Sequence, residues 1–277
     1  MASTRRRIHE ALVFARLQLG SCVFAGAFFA VLVLSNRVHV PHLARYDAIL
    51  LASLGIQAVL LATGRETLDE LKVLAVFHAL GLLLELFKTQ SSIGSWSYPE
   101  AGVAKLGGVP LYSGFMYAAV ASYLCQAWRR LHLELVDYPD PRASAILALA
   151  IYANFFTHHY VPDVRWPLSA AVLWQFRRTQ LSWDAVGVRR RIPLVCAFAL
   201  IGFFIWVAEN LATLHGAWAY PDQRLGWRAV SLAKIHCWAL LVIVTFVLVA
   251  DLKWWKARRA RQGAPAEPLS PASSPRG

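Results

Sequence analysis

Apolar residues along this chain gather into eight runs, 17–34, 48–63, 73–87, 109–128, 143–157, 166–176, 192–214 and 229–250. A helix needs about 20 apolar residues to cross a bilayer, and most of the runs approach that length. The sixth is short and contains Pro167. The pattern predicts an all-α, polytopic membrane helix bundle of about eight spans. It divides into a basic N-terminus (1–10), a membrane domain (11–256) and a C-terminal segment (257–277) whose Pro, Ala, Ser and Arg content reads as disordered. The start, with Arg5-Arg6-Arg7 ahead of an apolar run, could also read as a secretory signal. The length of the run and the spans that follow at once argue for a first membrane helix.

Composition agrees with the pattern. The chain has 277 residues, 57% hydrophobic and 16% charged, where soluble domains carry about 45–50% and 25%. The net charge of +12 would suit a polyanion ligand, but the basic residues lie in short clusters between apolar runs, as cytoplasmic loops do. No nucleic-acid partner is expected. Sorting Lys and Arg onto alternate sides of eight spans leaves 20 on the side of the termini and 8 on the other. That division puts both termini in the cytoplasm. Cys22, Cys125, Cys196 and Cys237 each lie inside an apolar run and read as packing residues rather than a disulfide framework.

An internal repeat adds a second layer. Glu85 is followed by Gly94-Ser95-Trp96-Ser97-Tyr98-Pro99-Glu100 and Leu106-Gly107; Glu209 is followed by Gly216-Ala217-Trp218-Ala219-Tyr220-Pro221-Asp222 and Leu225-Gly226. The offset of 122 to 124 residues carries the first run onto the fifth, the third onto the seventh and the fourth onto the eighth. The expected architecture is therefore two parallel four-span repeats, about 11–130 and 140–256, an arrangement known among transporters but not confined to them.

In this topology both aromatic loops lie on the outer side, and so does Thr157-His158-His159-Tyr160-Val161-Pro162-Asp163. Trp96, Tyr98, Trp218 and Tyr220 alone would read as an aromatic belt at the headgroup level. The acids are more informative. Glu85 lies near the outer end of the third span, Glu209 with Asn210 about a turn inside the outer end of the seventh. Acids within spans are costly, so they face the bundle interior and find partners. His78 is seven residues before Glu85, which puts it on the same helix face about 10 Å away. Lys234 and His236 enter the eighth span at the same outer depth, and Lys234 is a candidate ion-pair partner for either glutamate.

These residues nominate a catalytic set of Glu85, Glu209, His78, His236 and Lys234. The nominated binding set is Trp96, Tyr98, Glu100, Asn154, His158, His159, Asp163, Asn210, Trp218, Tyr220 and Asp222. Asp140, on the inner side, reads as turn chemistry. Adjacent His158 and His159 diverge by about 100° in a helix and chelate poorly. No H-x-x-x-H box, nucleophile elbow, P-loop or dinucleotide fingerprint occurs, so no metal and no cofactor are expected. A metal set drawn from His78, Glu85, His158 or His159 and His236 is the alternative that geometry leaves open. A purely structural role, tying helices together, is the competing reading for all of these groups.

Several stretches also resemble a known family. Asp69-Glu70-Leu71-Lys72, Leu84-Glu85-Leu86-Phe87-Lys88 and Gly94-Ser95-Trp96-Ser97-Tyr98-Pro99-Glu100 resemble the YoaT-like bacterial integral membrane proteins of unknown function. So do Gly107-Gly108-Val109-Pro110-Leu111-Tyr112-Ser113-Gly114-Phe115-Met116-Tyr117, Asn154-Phe155-Phe156-Thr157-His158-His159 and Ala208-Glu209-Asn210. The resemblance covers roughly residues 10–255 and implies a multi-pass protein of the bacterial inner membrane, with no activity attached. A fainter similarity, a Glu upstream of a G-x-W-x-Y-like loop, links the chain to integral-membrane carotenoid cyclases and hydratases. It makes acid–base chemistry on an isoprenoid or other lipid the first enzyme class to consider. The expected partners are membrane lipids and a lipid-like or small-molecule substrate. A proton- or cation-coupled transporter and a membrane assembly scaffold are the rival readings.

Overall fold

The computed structural model describes residues 2–263. Nine α-helices dominate it: α1 (Ala2–Ser21), α2 (Val23–Leu34), α3 (Arg45–Ala62), α4 (Leu68–Lys88), α5 (Ser113–Arg130), α6 (Pro141–Thr157), α7 (Arg165–Gln175), α8 (Leu194–Leu214) and α9 (Ala233–Gly263). Local sequence explains several of the boundaries. Thr67 and Glu70 close a reciprocal capping box at the start of α4, satisfying two of the free N–H groups there. Asp140 caps α6 through the N–H groups of Arg142 and Ala143, and Pro141 occupies the first turn, where a missing N–H costs nothing.

From α2 to α9 the helices run alternately toward and away from one end of the bundle. At that end Lys88 meets His158 and His159, Asn36 donates to the His215 carbonyl, and Tyr112 donates to the Ala217 carbonyl. At the opposite end Ser122 donates to Glu66, Arg129 pairs with Glu70, and Phe14 packs on Trp183. We call these the glutamate end and the sheet end. One apolar core, with Phe24, Phe28, Tyr46, Ile49, Phe77 and Tyr112, lies within the first half of the chain and takes in Trp218 and Tyr220. A second, with Leu147, Phe176, Phe198, Ile243 and Phe246, lies mainly within the other half.

The helices differ from the expected spans in instructive ways. The first run does not form one straight helix: α1 and α2 meet at a 63° bend beside Gly20 and Ser21. Ser21 turns its hydroxyl back onto the Leu17 carbonyl, and Gly/Ser pairs are recurrent kink sites. The fourth run begins in extended chain, because Val109–Pro110 pairs with Lys105–Leu106 as a short antiparallel ribbon, β2 with β1. The seventh loses Ile192 and Pro193 to a strand. The sixth, α7, has 11 residues, about 16 Å of helix. Its ends are nonetheless pinned along α6: Asp163, just before it, accepts from Asn154, and Gln175 donates to Ser144. α9 continues as helix to Gly263; residues 264–277 of the expected C-terminal tail lie outside the described residues.

The expectation of an all-α chain missed a three-stranded antiparallel sheet of β3 (Glu134–Val136), β4 (Gln180–Ala185) and β5 (Val188–Pro193). β4 and β5 form a hairpin whose two-residue turn, Val186-Gly187, has φ of +60° and +68°, the twist that two-residue hairpins prefer. Gly187 N–H is held by Asp184.

Among the described residues, α3, α8 and Ala233–Asp251 of α9 are each long and apolar enough to cross a membrane, and the bent α1–α2 pair makes a fourth candidate. Outward-facing apolar side chains add to this. Leu54, Val76, Leu83, Ile146, Leu149, Leu200 and Phe204 are all exposed, far more apolar surface than a monomer presents to water. Together with the apolar helices, these side chains suggest a membrane protein.

Close helix packing depends on small residues. A Cβ on Gly81 would sit 2.3 Å from the Tyr117 ring and 2.8 Å from the Tyr117 Cβ, whereas one on Gly55 would meet nothing within 4 Å. Gly81→Ala is expected to destabilise the protein by about 1–3 kcal/mol through overpacking, and Gly55→Ala to leave stability unchanged or raised. Unfolding of the two variants in detergent micelles checks this.

Candidate functional site

At the glutamate end the two aromatic loops come together. Ser97 and Ala219, the central residues of the two motifs, form an antiparallel bridge in which each N–H donates to the other's carbonyl at 3.0 Å. Behind the bridge stand the two glutamates, each only 2% exposed. Glu85 Oε2 accepts from Trp96 Nε1 at 2.6 Å and from Tyr98 Oη at 2.7 Å, while Oε1 accepts from Tyr117 Oη at 2.8 Å. Glu209 Oε1 accepts from Tyr220 Oη, and Oε2 from Trp238 Nε1 at 2.7 Å. Every donor is a neutral indole N–H or phenol O–H.

The two motifs make like contacts here at the level of side chains. Tyr98 and Tyr220 occupy the same motif position and bind the two glutamates in the same way. Tyr117 on α5 and Trp238 on α9 complete the sites, and their rings lie 6.5 Å apart. Neither was nominated from the sequence. The available signal was the repeat itself, since they lie 121 residues apart on helices that it equates. Trp96 and Trp218 have diverged: Trp96 donates to Glu85, whereas Trp218 is buried in the core without that bond.

Several expectations need correction. Trp218, Tyr98 and Tyr220 are buried, so these rings serve the carboxylates and the core rather than a headgroup belt. Lys234 forms no ion pair with either glutamate. Its Nζ lies over the Tyr220 ring, 4.5 Å from the centroid, and 5.6 Å from that of Trp96, a cation–π placement that keeps an ammonium near both acids without direct contact. His78 packs edge-on against Phe115, with Gly114 beside it, and makes no hydrogen bond to Glu85. His236 meets Ser169 Oγ and the Trp166 ring of α7. The metal set drawn from His78, Glu85, His158 or His159 and His236 is thus dispersed over separate contacts.

The remaining nominees fasten loops. Glu100 pairs with Arg45, which also donates to the His215 and Gly216 carbonyls and so ties the first loop to the second. Asn210 donates to the Trp206 carbonyl and accepts from Val230 N–H. Asn154 donates to Asp163, which forms an ion pair with Arg165 at 2.8 Å. Asp222 is exposed in the turn Pro221–Gln223. A shallow apolar cleft lined by His42, Leu43, Leu50, Leu51 and Val103 shares no residue with the glutamate site.

His158 and His159 belong to a neighbouring cluster that the sequence did not anticipate as one. Lys88 Nζ lies 2.7 Å from His159 Nε2 and 3.3 Å from His158 Nε2. Partial burial, with the Lys88 ammonium and His158 adding to it, pushes the His159 imidazolium down to about 4. Carrying the nearby ammonium charge in the same sense, His158 is also lowered, first by burial. Asp163 is held below its ordinary value: its burial would raise it, but the hydrogen bonds from Asn154 and Arg165 and the Arg165 charge outweigh that.

Fold and site together define a membrane-type helical bundle with a paired, buried glutamate centre between two loops at one end. Residues 10–246 match the family described as "Protein of unknown function (DUF817)", and the chain belongs to that family. It is 52% identical over 248 residues to "Uncharacterized protein YoaT" of Bacillus subtilis (strain 168), an alignment covering 90% of this chain and 93% of that protein. No solved structure matches.

Two outcomes follow. Tyr117→Phe keeps the ring against Gly81 but leaves Glu85 Oε1 without its donor, and it should cost about 1–3 kcal/mol. Tyr160→Phe, on a residue 71% exposed, should stay within about 0.5 kcal/mol; chemical unfolding in micelles compares them. Because His159 titrates below its ordinary 6.5 when folded, its contact with Lys88 is intact above that pH and lost as pH falls toward 4. The unfolding midpoints of wild type and His159→Asn should therefore differ at neutral pH and converge over that window.

Proposed function

We propose that this protein is a multi-pass protein of the bacterial inner membrane, built of two parallel four-helix halves, α2–α5 and α6–α9, with both termini in the cytoplasm. The alternating course of these eight helices supports eight crossings, α7 included, because its two ends follow α6. Charge supports the orientation. Arg37, Arg45, Lys88, Lys105, Arg165, Arg224, Arg228 and Lys234 belong to the glutamate end, and most other basic residues to the sheet end, which the positive-inside rule assigns to the cytoplasm.

In this reading the glutamate centre faces the outer leaflet and carries out acid–base chemistry on a lipid-like substrate, an isoprenoid being the class its resemblances favour. The observation that carries it is the donor set. Two buried carboxyl groups are each surrounded by preorganised neutral N–H and O–H donors, with no cation within ion-pair distance. Such donors stabilise a carboxylate after it has given up a proton while leaving the proton itself unassigned to any basic partner. A purely structural acid is more economically served by a direct salt bridge, as Glu100 is by Arg45. Half-buried Lys234 lies over Trp96 and Tyr220, two of the rings that bind the pair.

A second reading, proton- or cation-coupled transport, draws on Glu66. This carboxylate is 3% exposed at the sheet end and is held by Gln57 and Ser122. Buried acids near both ends of one bundle would suit alternating protonation.

The test is lipid and isoprenoid profiling of cells that lack the protein, carry wild type, or carry Glu85→Gln/Glu209→Gln at equal membrane levels. A lipid species that is formed with wild type and lost with the double variant is expected. Identical profiles in all three strains would reject the enzyme reading, and flux in proteoliposomes would then examine transport.

A further inference from the structure

Lys88 is the last residue of α4 and only 5% exposed. A buried ammonium ordinarily has a carboxylate against it, because desolvating an uncompensated charge is costly. Lys88 has none: no carboxylate among the described residues lies within 4 Å of it. Its contacts are the Nε2 atoms of His159 and His158. His158 Nδ1 is 2.7 Å from the Asn154 carbonyl, which fixes the proton on Nδ1 and leaves Nε2 to accept from the ammonium. Two of the three ammonium hydrogens are then directed at imidazoles, and among the described residues the third meets no acceptor.

The groups that face this ammonium from neighbouring elements do not balance it. They are His158 and His159 after α6, Asp163 before α7 and Arg165 at its first residue, and Lys234 and Cys237 on α9. Asp163 is already committed to Arg165, to Asn154 and to the Arg165 N–H. Glu85, one turn back along α4, has both oxygens occupied by neutral donors. Lys88 therefore has no contacting counter-charge among the described residues, and three nitrogen groups converge there.

We infer that Lys88, flanked by His158 and His159, is the recognition site for an anionic oxygen group, a phosphate or carboxylate, on the molecule that the glutamate centre handles. This rests on the proposed function and names its substrate class: an amphiphile with an anionic head, seated at Lys88. Lys234 links the two places, since it lies over Trp96 and Tyr220 of the glutamate centre and its charge also reaches Lys88. The same chemistry would accept a lipid head or a free phosphate, and the experiment separates them.

Calorimetric titration of the full-length protein in dodecyl maltoside micelles uses three probes: dodecyl phosphate, dodecyltrimethylammonium and inorganic phosphate. Wild type should bind dodecyl phosphate, Lys88→Met should weaken it at least tenfold, and Lys88→Arg should keep it within about threefold. Saturable binding of inorganic phosphate with the same Lys88 dependence would support the site and identify its ligand as a free anion. Equal affinity of wild type for the two oppositely charged amphiphiles would overturn the inference, a result that needs no variant to fold. Dodecyl phosphate binding unaffected by Lys88→Met would overturn it as well. Glu85→Gln/Glu209→Gln should leave dodecyl phosphate binding within about twofold. Loss of lipid turnover in that variant with its binding intact therefore separates the acid–base reading from the anion site. Should turnover survive the glutamate changes while Lys88→Met abolishes binding, the anion site stands and the acid–base reading falls.

Discussion

A buried carboxylate must find hydrogen-bond donors, and in this protein that requirement organises the whole glutamate end. Glu85 and Glu209 lie in helices that cannot offer them free N–H groups, since helical N–H groups are already spent on the backbone ladder. The donors come instead from the loops and from the following helices. Satisfying Glu85 pulls Trp96 and Tyr98 inward and fixes Tyr117 of α5 against α4; satisfying Glu209 does the same with Tyr220 and with Trp238 of α9. With both loops drawn in, their central residues meet and pair. Arg45, Tyr112 and Asn36 then bind the second loop from elements of the first half.

This arrangement explains why the first apolar core reaches into the second half of the chain. The first includes Trp218 and Tyr220, residues of the second loop, beside Phe24, Tyr46 and Tyr112. The second core lies among α6–α9 and α5. The sheet end adds a different principle. There β3, β4 and β5 form a small sheet whose exposed arginines pair with acids across elements, Arg190 with half-buried Glu10 and Arg189 with exposed Glu134. Both ends hold buried acids on neutral donors, Glu66 by Gln57 and Ser122 at this one, and the sheet adds more exposed charge pairs, which salt screens more strongly.

Much of the helical framework was legible in the sequence because apolar run length is a strong signal. α3, α4, α6 and α8 lie close to the runs that announced them. The bend at Ser21 was not legible, since Gly20-Ser21 sits inside an uninterrupted apolar run and kinks only through a side-chain bond to Leu17. β4 and β5 were hidden because Arg189-Arg190-Arg191 reads as a cytoplasmic charge cluster, and the Val-Gly turn lacks the usual Asn or Asp. For the site, the repeated motif drew attention to Glu85, Glu209, Tyr98 and Tyr220, and the structure joins each tyrosine to its glutamate. Histidine type and depth were poor guides by comparison: His78 and His236 share the helices of the acids but pack on Phe115 and Ser169. Spacing along one helix says which face a residue occupies, not which neighbour fills that face. Lys88 escaped notice because a lysine at a helix end ordinarily snorkels to water, and only the approach of His158 and His159 covers it.

The bridge between Ser97 and Ala219 bears on how such a chain could have arisen. Under the two-half reading, each of these residues is the other's counterpart, and a residue paired with its own counterpart is the mark of an isologous contact between identical subunits. A four-helix ancestor carrying one loop would have met a second copy of itself through that loop. Joining the copies in one chain replaces a bimolecular encounter with an intramolecular one, so association no longer depends on both loops being identical. Trp96 and Trp218 differ in this way: one donates to its glutamate, and the other is a core residue. Under that reading, a symmetric interface between copies would become an asymmetric site within one chain.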